Sequence, residues 1–287
     1  MKFGIILISV FLIACKGGSS PEPKKETPPP QKKEAIHILV SYGQSNSAGR
    51  AKDIQNAPGV PQSWGYEWRA NSKTAEHLAE PTRQDSLNEG SAWSAFAIRF
   101  HELTGEKVVI VNVGVDGKKI SSLTPSGDDG SVAFNWIMES INHYENHNQY
   151  EIKSVSMVWL QGESDTSNQT DLDSYFADLE TIKAEFRSLH NLAEFYVVRV
   201  GYSVKHTCEQ KRHGYILGNK QINKSEKPIS NLPVYFMSEG AMSDNIHYSQ
   251  DAYNRLGVNI ADNLVYYLNG TDVSQTLKSE STPDFRC

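Results

Sequence analysis

The chain has 287 residues, of which 38% are hydrophobic and 22% charged; this suits one large globular domain or two small ones and excludes wholesale disorder. Its net charge of −6 leaves no basic excess to neutralise phosphates, so nucleic acid is excluded as a partner.

The N-terminal stretch differs from the rest. Lys2 gives a short positive start, residues 3–13 are an apolar run, and Ala14-Cys15 closes it. That run is too short to span a bilayer and has the layout of an export signal, so residues 1–14 are expected to be a signal peptide. Residues 15–34 turn to Gly, Ser, Pro, Lys and Glu, with Pro28-Pro29-Pro30, and read as a tether stiffened by proline and solvated by charge. Leu12-Ile13-Ala14-Cys15 resembles the lipobox of bacterial lipoproteins. The resemblance implies a lipidated Cys15 and a membrane anchor in the bacterial cell envelope, periplasmic or surface-exposed. Cys208 and Cys287 remain. In an exported protein they can form a disulfide, worth ~4–5 kcal/mol in the chain-entropy account, or stand as free thiols; the sequence leaves both readings open.

The folded domain is expected at residues 35–270. Residues 36–43 read as a buried strand that stops at Gly43 and hands over to Ser45. Residues 50–90 carry scattered Pro, Gly and Asn without a sustained period and are expected to be loops, with Trp64, Tyr66 and Trp68 packing them onto the body or stacking on sugar rings. A helix over 91–104 buries Trp93, Phe96 and Phe100 and stops at Gly105. The β-branched run 107–113 suits a strand covered on both faces. A helix over 133–146, a strand over 154–160, a helix over 172–189 and a strand over 194–200 continue the rhythm. The lysine-rich segment 205–227 reads as an insertion or a partly exposed helix. Residues 234–237 complete five strands, Ser249 caps a last amphipathic helix, and 271–287 form a polar, extended tail. Strands alternating with helices predict an α/β domain with a parallel five-stranded sheet and right-handed crossovers.

In such a sheet, ligands bind beyond the carboxyl ends of the strands. The polar clusters fall there: Ser45 after the first strand, Gly114 to Gly117 after the second, Gln161-Gly162-Glu163-Ser164-Asp165 after the third, and Asp244-Asn245-Ile246-His247 after the fifth. A serine hydroxyl needs a base to take its proton and a third group to fix the tautomer of that base. His247 and Asp244, three residues apart, can supply both. The elbow G-x-S-x-G is not met, because Gly43-Gln44-Ser45-Asn46-Ser47 places its central serine without a second glycine. His143 and His147 share a helix face but lack the H-E-x-x-H pattern and a third ligand, so no metal site is expected. No G-x-G-x-x-G or Walker-type loop occurs, and no cofactor is expected.

The blocks Gly43-Gln44-Ser45-Asn46, Asn112-x-x-x-x-Gly117, Gln161-Gly162-Glu163-Ser164-Asp165 and Asp244-x-x-His247 resemble the SGNH hydrolase superfamily, and within it the sialate O-acetylesterase and carbohydrate esterase family 6 (acetylxylan esterase-like) branch. The resemblance implies a flavodoxin-like three-layer α/β/α sandwich and a serine esterase that removes O-acetyl groups from a carbohydrate such as sialic acid or xylan. It makes Ser45 the nucleophile, His247 the base and Asp244 its partner. The backbone N–H groups of Ser45 and Gly117 and the side-chain amide of Gln161 would form the oxyanion hole. Gln44, Asn46 and Glu163 are candidate supporting residues. Two positions depart from the wider pattern. Gln161 stands where many SGNH enzymes have asparagine, and Asp116-Gly117-Lys118 stands where the branch often has Gly-Gly and a small hydroxyl residue, which leaves Gly114 as a second candidate donor. The competing readings are a broader short-chain carboxylesterase and an inactive glycan-binding lipoprotein.

Overall fold

Eight consecutive buried residues from Ile36 to Gly43 make strand β1 (Glu34–Gly43) the spine of the molecule. The computed structural model describes residues 32–82, 87–203, 205–229 and 242–279. The expected signal peptide, Cys15 and most of the tether, the expected strand at 234–237, and Cys287 lie outside the described residues.

β1 pairs in parallel with β4 (Lys107–Asn112) on one side and β5 (Tyr150–Leu160) on the other. The sheet continues in parallel through β6 (Ala193–Val198) to β7 (Pro228–Ile229). Beyond β4 lies β2 (Gly65–Arg69), parallel to it, and β3 (Thr74–His77), antiparallel to β2. The full order is β3-β2-β4-β1-β5-β6-β7. Removing the β2/β3 hairpin leaves the doubly wound order whose switch point lies at β1, where strand order reverses and a crevice opens.

Alternation along β1 feeds two separate cores. Ile36, Ile38, Val40 and Tyr42 face one side, with α3 (Asp128–Glu145) and α5 (Leu172–Ser188) supplying Phe134, Ile137, Tyr175 and Ile182. Leu39 faces the other, against α2 (Trp93–Thr104) and α7 (Gln250–Leu268), which contribute Phe96, Phe100, Leu256 and Ile260. This is the expected three-layer sandwich. Full burial of each such side chain contributes roughly 1.5–3 kcal/mol.

The sheet has seven strands among the described residues, not five. The hairpin was hidden in the stretch expected to be loops, because β2 carries a charge in its middle: Glu67 is fully buried, with Arg69 Nη2 2.9 Å from Oε2. Burial pushes Glu67 up to about 9 despite that arginine. Trp68 is buried in the core and Trp64 stacks on His101, which gives both tryptophans packing roles. The lysine-rich segment is no insertion. It forms α6 (Cys208–Lys224), the crossover from β6 to β7, opened by a Thr207/Gln210 capping box and buried along Leu217, Gln221 and Ile222. Cys208 is disulfide-bonded, and its partner lies outside the described residues. The expected extended tail instead begins with a short helix, α8 (Ser274–Ser279), because Leu277 finds a buried seat.

Candidate active site

β1 ends where it can pass close to β5. A Cβ on Gly43, whose φ is +146°, would lie 2.0 Å from the carbonyl oxygen of Leu160, so only glycine allows the turn. The chain then enters α1 (Ser45–Ala48), a helix too short to hold itself. Its last carbonyls are held from outside: Ser47 O accepts from Ser41 Oγ at 2.9 Å and from Trp93 Nε1 at 3.1 Å, and Ala48 O accepts from Asn112 Nδ2 at 2.7 Å. Ser45 therefore stands at the first position of a rigid turn, beyond the carboxyl end of the central strand.

The loop before α7 brings up the other half. It is closed by the Ser243 N–H donating to His247 O at 2.8 Å and by a bridge between Met242 and Tyr248. His247 Nε2 lies 3.1 Å from Ser45 Oγ, although 202 residues separate them in sequence. Its Nδ1 lies 2.8 Å from Asp244 Oδ2, and Asp244 Oδ1 accepts from the backbone N–H groups of His247 at 2.8 Å and Ile246 at 3.1 Å. Burial pushes the Asp244 carboxyl up, but these hydrogen bonds outweigh it and hold the group at about 2. It is a permanent anion whose Oδ2 can accept only from a protonated Nδ1, which leaves Nε2 free to accept from Ser45.

A cavity of about 490 Å³ opens over Ser45 and His247, and Gln44, Gly117 and Glu163 also line it. Gly117 has φ +68° and nothing within 4 Å of where a Cβ would be, so the backbone is bare at the cavity wall. Gly114 is packed elsewhere: its Cβ would meet Ala48 N at 2.6 Å, and it lines a separate cavity of about 290 Å³ beside Trp136. Gln161 is fully buried, and its Nε2 is committed to Asp165 Oδ2 at 2.5 Å and Lys118 O at 3.1 Å. The structure thus brings Ser45, Asp244, His247 and Gly117 together and turns the Gln161 amide away from the cavity. Gln44 takes a place there instead. Its Oε1 accepts from the Ser164 N–H at 3.0 Å, and its Nε2 has no acceptor among the described residues.

Residues 34–266 match the family model for carbohydrate esterases described as sialic acid-specific acetylesterases. The chain belongs to this family. It is a carbohydrate O-acetylesterase. Solved structures agree on the fold. A protein from Arabidopsis thaliana is similar at 22% identity and a TM-score of 0.60, covering 80% of this chain and 98% of that one. NanS is similar at 11% identity and 0.53, covering 83% and 98%. A carbohydrate acetylesterase from Xanthomonas citri is similar at 14% identity and 0.50, covering 81% and 56%. A search of curated proteins found no match.

In this acetylesterase Asn46 is the hub between the two halves of the site. Its Nδ2 donates to Glu163 Oε1 at 2.7 Å and to Ile246 O at 3.2 Å, while its Oδ1 accepts from Tyr253 OH at 2.9 Å and from the Tyr248 N–H at 3.4 Å. All four of its hydrogen-bonding positions are used, so the serine turn and the histidine loop share one rigid amide. Glu163 is buried, and its Oε2 has no hydrogen-bond partner among the described residues. Burial raises its carboxyl to about 7 against the Asn46 bond. The sequence offered no sign of Tyr248 or Tyr253 in this network: Tyr248 lies just before the Ser249 cap and Tyr253 in the first turns of α7, with no motif to mark either.

The esterase should lose stability as Glu163 ionises. Its folded pKa of about 7 exceeds the unfolded value of 4.5, so its contribution is full below 4.5 and is lost as pH rises to about 7. Glu163→Gln removes that slope. The difference in melting temperature, variant minus wild type, is expected to grow between pH 5 and pH 8; a constant difference would refute the assignment.

Proposed function

We propose that the esterase cleaves acetyl esters of a sugar by two-step acyl transfer through Ser45, His247 and Asp244. The observation that carries this reading is the continuous line from Ser45 Oγ through His247 to Asp244, with contacts of 3.1 Å and 2.8 Å. Ser45 Oγ attacks the acetyl carbonyl as its proton passes to His247 Nε2. The sugar hydroxyl then leaves, taking that proton. Water, deprotonated by the same nitrogen, attacks the acetyl-enzyme and releases acetate and Ser45. The backbone N–H groups of Ser45 and Gly117, neither of which donates to an acceptor among the described residues, face the developing oxyanion, with the Gln44 amide as the side-chain donor in place of Gln161.

The rest of the cavity wall supports a polyhydroxylated leaving group. His206 Nδ1 accepts from the Ser203 N–H at 3.3 Å, which places its proton on Nε2, 2.8 Å from Ser167 Oγ. This imidazole is thus a hydrogen-bonding wall and not a second base. With Ser164, Ser203 and Lys205 it presents donors and acceptors to sugar hydroxyls. Sialic acid is the sugar named by the family description, and it is the first candidate. The lipobox-like Cys15 supports a site tethered in the cell envelope.

The test is hydrolysis of acetyl, butyryl and octanoyl esters of one chromogenic alcohol. Each added methylene that the acyl site cannot seat should lower kcat/KM by about tenfold or more. Equal rates across the series would replace the acetyl-specific reading with a general carboxylesterase.

A further inference from the structure

The loop that carries Gly117 has a second side. Asp116 and Gly117 line the cavity over Ser45, while Gly114 and Val115, the two residues before them, line the neighbouring cavity of about 290 Å³. α1 divides in the same way. Ser45 stands in the wall of the first cavity and Ala48, three residues on and so about 4.5 Å along the helix, in the wall of the second. The two cavities are therefore neighbours across one loop and one helical turn.

The backbone between them is tightly packed. Gly114 sits so close to α1 that a Cβ would lie 2.6 Å from Ala48 N, and the Val115 N–H donates to Gly43 O at 3.0 Å. An acyl chain with its carbonyl at Ser45 cannot thread such a wall. A ligand that fills both cavities has to pass over the loop, as a chain of linked sugar rings does.

The lining of the second cavity suits the face of one such ring. Val113, Val115, Val132, Ala133 and Trp136 make it apolar, and Trp136 is only partly buried. A sugar ring carries C–H groups on its face and hydroxyls around its edge, so an aromatic plane takes the face and polar groups take the edge. Asp128, exposed in the same wall, brings carboxylate acceptors for that edge, whereas Asp129 is already held by Ser122 and Lys118. The volume is near the lower end of the range for small-ligand sites, roughly 300 Å³.

We infer that this cavity seats the sugar next to the acetylated one, with Trp136 as its platform, so that the esterase prefers a linked glycan to a free monosaccharide. The inference rests on the reading of Ser45 as the nucleophile and of a sugar as the leaving group. Contacts this far from the ester are made alike in the ground state and the transition state, so they act mainly on KM.

Matched substrates test it: O-acetylated sialic acid, free and linked to lactose, and acetylated xylose against acetylated xylotriose. The readout is the ratio of kcat/KM for the linked over the free sugar, taken within each variant, so that a general loss of active enzyme cancels. In the wild type that ratio should reach about tenfold or more for at least one pair, chiefly through KM. Trp136→Ala should bring it close to one, and Trp136→Phe, which keeps a ring, should retain much of it. Val132→Trp, at a position 46% exposed, fills the cavity from outside the core and should also abolish the preference. Equal kcat/KM for free and linked sugars in the wild type would overturn the inference, as would a preference that survives Trp136→Ala or Val132→Trp. Cleavage of a chromogenic acetyl ester without cleavage of either pair would instead overturn the sugar reading, and this inference with it.

Discussion

Ser45→Ala is expected to lower kcat for acetyl-ester hydrolysis by about a millionfold, the scale on which a serine nucleophile is lost. The variant should fold as the wild type does. Among the described residues the hydroxyl makes one hydrogen bond, to His247 Nε2, and its removal leaves that nitrogen beside an open cavity where water can satisfy it. The turn itself is held by hydrogen bonds of Ser41, Trp93, Asn112 and Asn46 that do not involve Ser45 Oγ. Kinetics and the melting temperature of one preparation therefore decide the matter. Loss of activity with an unchanged melting temperature identifies the nucleophile; activity near wild type would place the chemistry elsewhere.

Asp244→Asn is expected to cost about 10⁴-fold in kcat, the scale seen when a triad histidine is held in the wrong tautomer. The reason lies in the division of labour between the two carboxylate oxygens. Oδ1 accepts from two backbone N–H groups, so an asparagine would keep its carbonyl oxygen there and turn its amide toward His247 Nδ1. That ring nitrogen would then have to accept, which puts the proton on Nε2, where it faces Ser45 and cannot serve as a base. Asp244→Ala should be no worse, because it frees the ring to choose its tautomer. The carboxyl is held at about 2, below its unfolded value of 3.8, so its stabilising contribution is present above 3.8 and is lost only as pH falls through about 2. Loss of wild-type activity between pH 6 and pH 4 is thus not a titration of Asp244. A variant with more than a tenth of wild-type kcat would show that Asp244 does not set the tautomer.

Much of the candidate site is legible in the sequence because its polar residues sit where short loops leave strands. Ser45 after β1 and Glu163 after β5 each follow a buried apolar run within a few residues, and such runs are read reliably from period and β-branching. Asp244 and His247 stood out as a local pair. The hairpin did not, since Glu67 in the middle of β2 breaks the apolar alternation by which a strand is recognised. The α6 crossover was obscured by its lysines and arginine, which cover the solvent side of a helix whose buried stripe includes Gly214, Gly218 and Gln221 and so has little apolar signal.

The sequence by itself determined the α/β architecture and placed Ser45, the proposed nucleophile, at a strand end, with Asp244 and His247 as its candidate acid and base. These depend on patterns that span a few residues and on the general rule for where parallel sheets bind ligands. Only the tertiary structure decided which amide lines the cavity, that Gly117 and not Gly114 lines it, and that Asn46 joins the two halves. Each of these is a contact between side chains or loops carried by different elements, up to 207 residues apart in the case of Asn46 and Tyr253. Such contacts are fixed by strand order and register, and a buried amide or carboxylate takes the direction in which its partners leave it satisfied.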